Sequence, residues 1–281
     1  MFDFLRESQG AGGTIPYGTQ GVIITCDGGK ERGSARDAVR NLTERFEIFL
    51  ERDGKSKKSS SEDKGKDESA DAGDALRAEL EGLREDNKQP LFKENSVDLR
   101  ACTFVAASKE VTSHYTMAEL VRAELERAKE SGKTFARHML RMIPVETTCY
   151  AGVDEIAEAA APLIEKYFGD EKERTFAICF DRRANSSVRR NDVIEAIAKQ
   201  VKQPPAKVNL GNPDLTIMVE VIKGVACLSV LTDYESLCKY NVRFVAMTEE
   251  ERIETKNERS GITKPPPAEG STKKQDDEKK E

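Results

Sequence analysis

The apolar and polar positions along the chain separate strand-like and helix-like stretches from stretches that carry no pattern. Gly21-Val-Ile-Ile-Thr-Cys26 is a β-branched run closed by Asp27-Gly28-Gly29, and it predicts a strand ending in a turn. From Ser34 to about Leu50, apolar Ala38, Leu42, Phe46 and Phe49 recur near helical spacing, which predicts a helix capped by Ser34. Residues 54–73 are Ser, Lys, Asp and Glu with hardly an apolar side chain. Such a stretch cannot bury enough surface to offset the entropy of ordering it, so an exposed insertion is expected over about 51–96. Leu76, Leu80 and Leu83 mark a short charged helix inside it.

Order resumes at Val97. Ala101–Ala107 predicts a strand buried on both faces, Met117–Lys129 a helix, and His138–Cys149 a strand-like segment interrupted by Pro144. Val153–Phe168 is an alanine-rich amphipathic helix, Arg174–Phe180 a strand, and Asn191–Val201 a helix with Val193, Ile194, Ile197 and Val201 inward. Leu215–Ile222 and Val225–Leu231 are long β-branched strands, and Asp233–Asn241 a last short helix or turn. From Thr248 the chain is charged and contains three consecutive prolines, which predicts an unordered tail. Strands alternate with helices throughout, so the fold class is α/β (α+β). The expected organisation is a leader over 1–18, a first domain over 19–149 that carries the insertion, a second over 150–246, and a tail over 247–281.

Charge changes this picture in one place. The net charge is −6, which argues against a uniformly basic nucleic-acid binder. Binding depends on local potential, however. From Arg174 to Lys207 there are eight Lys/Arg against three Asp/Glu, a balance of +5. From Glu51 to Asp98 there are ten against fourteen, a balance of −4. The basic excess falls on the patterned part of the chain.

Candidate catalytic chemistry is sparse. The six cysteines form no CxxC pair and lie near neither His114 nor His138, so free thiols in a reducing compartment are expected, with no metal site. Gln9-Gly-Ala-Gly-Gly13 follows no strand and is closed by no Gly-Lys-Ser/Thr, so it reads as leader and not as a nucleotide loop. No apolar run approaches the length that spans a bilayer, and Met1–Gly10 lacks a secretory apolar core, so a soluble intracellular protein with no membrane partner is expected. What does stand out is a strand that ends in a burst of arginines. A guanidinium offers a planar fork for phosphate, a helix N-terminus adds free N–H groups, and Asn or Ser can reach a 2′-hydroxyl or a base edge. Arginines in a loop are also found on ordinary solvated faces.

The pair DRRANSSVRRNDVIEAIA and VNLGNPDLTIMVEVIKGVACLSV resembles the THUMP domain, an RNA-binding module of tRNA-modifying proteins. KTFARHMLRMIPVETTC resembles the strand that precedes it in one subgroup, and GVIITCDGGKERGSARDAVRNL that subgroup's start. Together they resemble the Tan1 type, the THUMP domain-containing protein 1 family. The resemblance implies a ferredoxin-like domain followed by a small α/β THUMP domain. It also implies a non-catalytic adaptor that binds leucine and serine tRNA at the 3′ acceptor end. The adaptor would present it to a separate RNA cytidine acetyltransferase that forms 4-acetylcytidine in the D-arm. Acetyl-CoA and ATP would be used by that partner, the chain itself would hold no cofactor, no DNA binding is expected, and the location would be nuclear or nucleolar, or also cytoplasmic.

Carried over by position, the RNA-binding set is Arg137 and Arg141 before the domain, then Arg182, Arg183, Asn185, Ser186, Arg189, Arg190 and Asn191 in the arginine loop. Asn209, Asn212 and Pro213 follow in the next turn, Lys223 and Gly224 between the paired strands, and Tyr240 and Asn241 at the motif's end. The short N-terminus lacks the basic arm of relatives, and Gln203-Pro204-Pro205 is a departure in a connection. Two other readings stand beside the adaptor: a general structured-RNA binder or ribosome-assembly factor, and a tRNA-modifying enzyme in its own right.

Overall fold

The computed structural model describes residues 15–55, 89–170 and 172–259. Most of the expected leader, residues 56–88 of the expected insertion and the tail from 260 onward lie outside them.

The first half runs β1 (Gly21–Cys26), α1 (Glu31–Arg52), β2 (Phe92–Leu99), β3 (Cys102–Ala107), α2 (Lys109–His114), α3 (Met117–Ser131) and β4 (Met139–Val145). Its four strands form an antiparallel sheet in the order β2-β3-β1-β4, the ferredoxin-like arrangement of two interleaved β-α-β units. Apolar residues at helical spacing explain the two long helices. Ala38, Leu42 and Phe46 of α1 and Leu120, Val121 and Leu125 of α3 are all fully buried, each large one contributing about 2 kcal/mol. Thr116 and Glu119 close a capping box on α3, and Gly132 ends it in the left-handed region at φ 63°.

Three expectations for this half are corrected. Ser34 does not cap α1: it is fully buried inside the helix, which starts at Glu31. The Glu31 carboxylate accepts the Ala101 amide at 2.6 Å and the Gly29 amide at 3.0 Å, tying the helix start to the β2–β3 turn. The insertion is shorter than 51–96, because α1 continues to Arg52 and β2 begins at Phe92. An edge strand that buries only Phe92 and Val97 fully carries too little alternation to read from sequence. Pro144 does not interrupt a strand. It sits within β4 at the sheet edge, where no neighbour needs its missing N–H.

The second half runs β5 (Thr147–Tyr150), α4 (Val153–Phe168), β6 (Thr175–Arg183), α5 (Arg190–Ala198), β7 (Lys207–Val208), β8 (Leu215–Ile222) and β9 (Val225–Thr232). Its sheet has the order β5-β9-β8-β6-β7, with β6 parallel to β8 and to β7 and the other pairs antiparallel. The 138–149 segment therefore supplies strands to two sheets, and the change of sheet falls at Glu146. That buried carboxylate accepts from Lys166 Nζ at 2.8 Å, Tyr167 Oη at 3.0 Å and the Val230 amide at 3.1 Å.

Alternation along β8 and β9 divides two cores. Ile217, Val219 and Val221 face α4 and α5, while Met218, Ile222, Val225 and Cys227 join the core of the first half. The chain then closes back. A 3₁₀ turn over Cys238–Tyr240 leads to α6 (Val242–Val245), which packs on β4 and α3. The region expected as unordered tail begins with a further helix, α7 (Glu249–Arg259), which Thr248 and Glu251 start with reciprocal side-chain bonds. All six cysteines are free, and burial raises the thiols of Cys102 to about 11 and Cys149 to about 12.

Candidate nucleic-acid interface

Register places the arginine loop at one end of the second sheet. Tyr150, Val225, Ile222 and Arg183 are successive Cα partners, so one row crosses β5, β9, β8 and β6 at that end. The Lys223–Gly224 turn and the β6–α5 loop project just beyond it. Lys223 adopts φ 52° and Ala184 φ 50°, left-handed conformations that fold both connections tightly.

Asn185 organises this rim from within. Its Nδ2 donates to the Lys223 carbonyl at 2.7 Å. Its Oδ1 accepts the Val188 amide at 3.1 Å, the Ser187 amide at 3.1 Å and the Ser187 hydroxyl at 3.3 Å. This is an Asx-type knot that locks the arginine loop onto the neighbouring hairpin. Its Oδ1 is fully engaged and one of its two Nδ2 hydrogens is used, so most of its side-chain bonding capacity goes to scaffold.

The arginines divide by strand alternation. Arg182 points to the α5 side, where its Nη1 donates to the Val188 carbonyl at 2.9 Å. Arg190 is anchored the same way, to the Phe180 carbonyl at 2.9 Å. A guanidinium has five N–H donors, so each retains most of its fork for an anion. With Arg189, which occupies the N-cap position of α5, they line an open cleft of about 510 Å³ together with Asp181, Asn191 and Asp192. Three arginines face two aspartates there. Ser186 is exposed on the same loop.

Arg183 points the other way. Its Nε lies 3.8 Å from Glu220 Oε2, and its Nη2 3.8 Å from Asp181 Oδ2. Glu220 is buried on β8, and desolvation raises its carboxyl to about 7, with Asp181 adding to the rise and Arg183 and Arg141 opposing it. Arg141, half-buried on β4, thus approaches the same carboxylate from the first half. The seam between the halves holds these two arginines around an acid. A lone Glu inside the eight-residue apolar run LTIMVEVI is a signal the sequence carried and the site prediction did not use.

The rest of the expected set is scattered. Asn209 closes a second Asx knot, accepting the Gly211 amide at 3.0 Å and donating to the Asn212 carbonyl at 2.9 Å. That loop, with Asn212 and Pro213, lies beside Thr175 and Phe176 at the start of β6, the opposite end of the sheet from Arg183. The separation is seven strand residues, about 23 Å. Tyr240 is 1% exposed and donates to the Thr232 carbonyl at 3.2 Å, so it is core. Asn241 caps α6, accepting the Arg243 and Phe244 amides at 3.0 and 2.9 Å. Arg137 lines a different cleft with Asp37, Arg40 and Arg243. Lys223 Nζ is 3.2 Å from Asp98 of β2, an exposed bridge between the halves. The resemblance gave these residues by their position along the chain, and that position could not say which end of which sheet each would occupy.

Among the described residues no group of three His, Cys, Asp or Glu is placed to hold a metal ion, and no helix is long and apolar enough to cross a membrane. His138 Nδ1 pairs with Asp27 at 3.1 Å, and Asp27 is held below the usual carboxylate range by Arg243 first and His138 second.

The THUMP domain family model matches residues 150–231, which spans the second sheet from the end of β5 to the end of β9 and includes the arginine rim. THUMP domain-containing protein 1 of Mus musculus is 31% identical over 248 residues, covering 85% of this chain and 68% of its own length. The Homo sapiens protein of the same name is 32% identical over 236 residues, covering 81% of this chain and 64% of its own length, so the chain spans about two thirds of these relatives. The protein called tRNA acetyltransferase TAN1 in Saccharomyces cerevisiae is 24% identical over 252 residues, covering 82% of this chain and 86% of its own length. The THUMP match over β5 to β9, with a mammalian similarity that extends into the ferredoxin-like first half, places this chain in the THUMP domain-containing protein 1 family.

Proposed function

We propose that this chain binds tRNA at the rim of its second sheet and presents it to a separate RNA cytidine acetyltransferase, which forms 4-acetylcytidine in the D-arm of leucine and serine tRNAs. The observation that carries the reading is the cleft where Arg182, Arg189 and Arg190 meet the start of α5. Arg182 and Arg190 are each fixed by one backbone carbonyl, so their forks are held outward at little entropic cost. The α5 N-terminus adds partial positive charge at the same place.

The arrangement suits holding RNA more than transforming it. Among the described residues nothing at the rim pairs a nucleophile with a base: its side chains are guanidinium, amide and hydroxyl, with Asp181 and Asp192 as carboxylates facing the arginines. Acetyl-CoA and ATP belong, on this reading, to the partner enzyme, as does the chemistry. The name of the yeast relative favours the acetylation pathway over a general structured-RNA binder.

Binding of the purified chain to whole tRNA, to tRNA trimmed at its 3′ end and to an unrelated structured RNA tests the reading. A preference for whole tRNA is expected. Equal affinity for all three would favour the general RNA binder. Acetyl transfer by the chain alone, supplied with acetyl-CoA and ATP, would make it the enzyme and end the adaptor reading.

A further inference from the structure

The outward face of α1 is segregated by charge. Arg32, Arg36 and Arg40 follow one another at every fourth position and are all exposed, a stripe about 12 Å long. Glu44, Glu47 and Glu51 are exposed along the remainder of the helix. Apart from Glu31 in the first turn and Arg52 in the last, cations thus gather at the positive end of the helix macrodipole and carboxylates at its negative end. That distribution works against the helix, so helix stability does not account for it. Arg40 is bonded to Asp37 at 3.2 Å, whereas Arg32 and Arg36 have no ion pair among the described residues. Arg36 Nε donates only to the Arg32 carbonyl, at 3.4 Å.

The stripe joins two clefts. At its start Arg32 lines an open cleft of about 670 Å³ with Gly28, Gly29 and Arg100, and Arg100 lies so close over Gly28 that a Cβ there would meet its Nε at 2.7 Å. At its other end Arg40 lines the cleft of Arg137 and Arg243. Arg243 is pinned as the rim arginines are: its Nη2 donates to the Arg137 carbonyl at 3.1 Å and to Asp27 at 2.6 Å, which leaves three N–H donors. Most acids on this surface are already engaged: Asp27 by Arg243 and His138, Glu31 by the Ala101 and Gly29 amides, Asp98 by Lys223. Glu94 is half-buried. The same contacts fix where the stripe begins. Lys223 Nζ reaches Asp98 at 3.2 Å and the Ala101 amide reaches Glu31 at 2.6 Å, so the Lys223–Gly224 turn adjoins the start of α1. Asn185 ties that turn to the arginine loop at 2.7 Å. An RNA backbone that leaves the arginine loop across the turn arrives at Arg100 and Arg32.

We propose that the Arg32–Arg36–Arg40 stripe of α1, with Arg100 and Arg137 at its two ends, is a second phosphate-binding track that grips the duplex backbone of the RNA held at the rim. Its polar groups are guanidinium forks, which suit phosphate oxygens and carry no reading of bases. All five arginines lie outside residues 150–231, the span of the THUMP match. The track ends at Arg40, because Glu44 and Glu47 beyond it repel phosphate. This inference rests on the tRNA-binding reading above, and its test separates the two.

The full chain is titrated with whole tRNA over a range of salt concentrations. Arg32→Ala, Arg36→Ala and Arg40→Ala together should weaken binding roughly 3- to 150-fold, three exposed charge contacts being lost. The slope of log affinity against log salt should fall by about 2 to 3. The urea midpoint should not move, since all three side chains are exposed and alanine suits a helix. Replacing the same three by lysine keeps the charges and should restore the slope. The loss should add to that of Arg182→Ala, because the two sites are separate. Triple-alanine chain that binds tRNA with wild-type affinity and slope would overturn the track, and so would a loss of affinity with the slope unchanged. Intact tRNA binding with lost affinity for the acetyltransferase would give the stripe to an acidic protein surface and overturn it too. If Arg182→Ala still weakens tRNA binding in those cases, the tRNA reading stands without the track. Failure of the wild-type chain to bind tRNA would remove both.

Discussion

Arg183 Nε and Glu220 Oε2 stand 3.8 Å apart in the seam between the two halves, and neither atom has a hydrogen-bond partner among the described residues. The ion pair is close enough to attract and too long to bond, so the cost of burying the carboxylate is only partly offset. That explains why burial outweighs the two nearby arginines and Glu220 titrates near neutrality.

A pH-dependent stability follows from Glu220. Its folded pKa of about 7 lies above the ordinary carboxyl value of 4.5, so the folded state holds the proton more tightly. The resulting stabilisation is complete below about pH 4.5 and is lost as pH rises through 7, by on the order of 3 kcal/mol in all. Glu220→Gln cannot titrate. Thermal melts between pH 4.5 and 8 should fall more steeply with pH for wild type than for the variant, and parallel curves would contradict the assignment.

Asn185 should behave as a positioning residue. Asn185→Ala removes the bond to the Lys223 carbonyl and three bonds into its own loop, and should cost about 1–3 kcal/mol in urea unfolding. RNA affinity should fall with it, because Arg182 and Arg189 lose their support.

Arg182→Ala and Arg189→Ala should leave urea midpoints within about 0.5 kcal/mol of wild type, since both side chains are exposed. Each should weaken tRNA binding and reduce the slope of log affinity against log salt by about 1. Arg183→Ala should do the reverse. It leaves Glu220 buried without its nearest cation, so unfolding measurements should register more than RNA titrations do.

Tyr240→Phe tests whether the motif's last aromatic reads RNA. The ring is buried and its hydroxyl bonds the Thr232 carbonyl, so loss of that hydroxyl should cost about 1 kcal/mol of stability. tRNA affinity of the folded variant should be unchanged. A large loss of affinity without loss of stability would return Tyr240 to the interface.

Long, strongly periodic elements were legible from the residues alone. The Leu42 and Phe46 stripe of α1, the Val193 and Ile197 stripe of α5 and the predominantly apolar β8 and β9 each specify their own type, because burial of one face or both is written locally. The basic excess of the arginine loop was legible for the same reason. Short or edge elements were not. β2 buries too few residues to show a period, α7 has no core face to announce it, and Ser34 had the chemistry of a cap but lies one turn inside the helix that Glu31 begins.

The site divided along the same line. Sequence put Arg182 and Arg183 in a loop after a strand ending at Phe180; tertiary structure carries that strand on to Arg183 and decides that one faces an open cleft and the other a buried acid, since neighbours on a strand project to opposite faces. Sequence put Asn209 and Asn185 in comparable polar turns. Only the parallel pairing of β6 with β8 set them at opposite ends of the sheet, and only the pairing of β5 with β9 brought Tyr150 into the row of Arg183. Pattern along a chain records which residues seek burial. It does not record which strand lies beside which, and the distance between two side chains far apart in sequence depends on that.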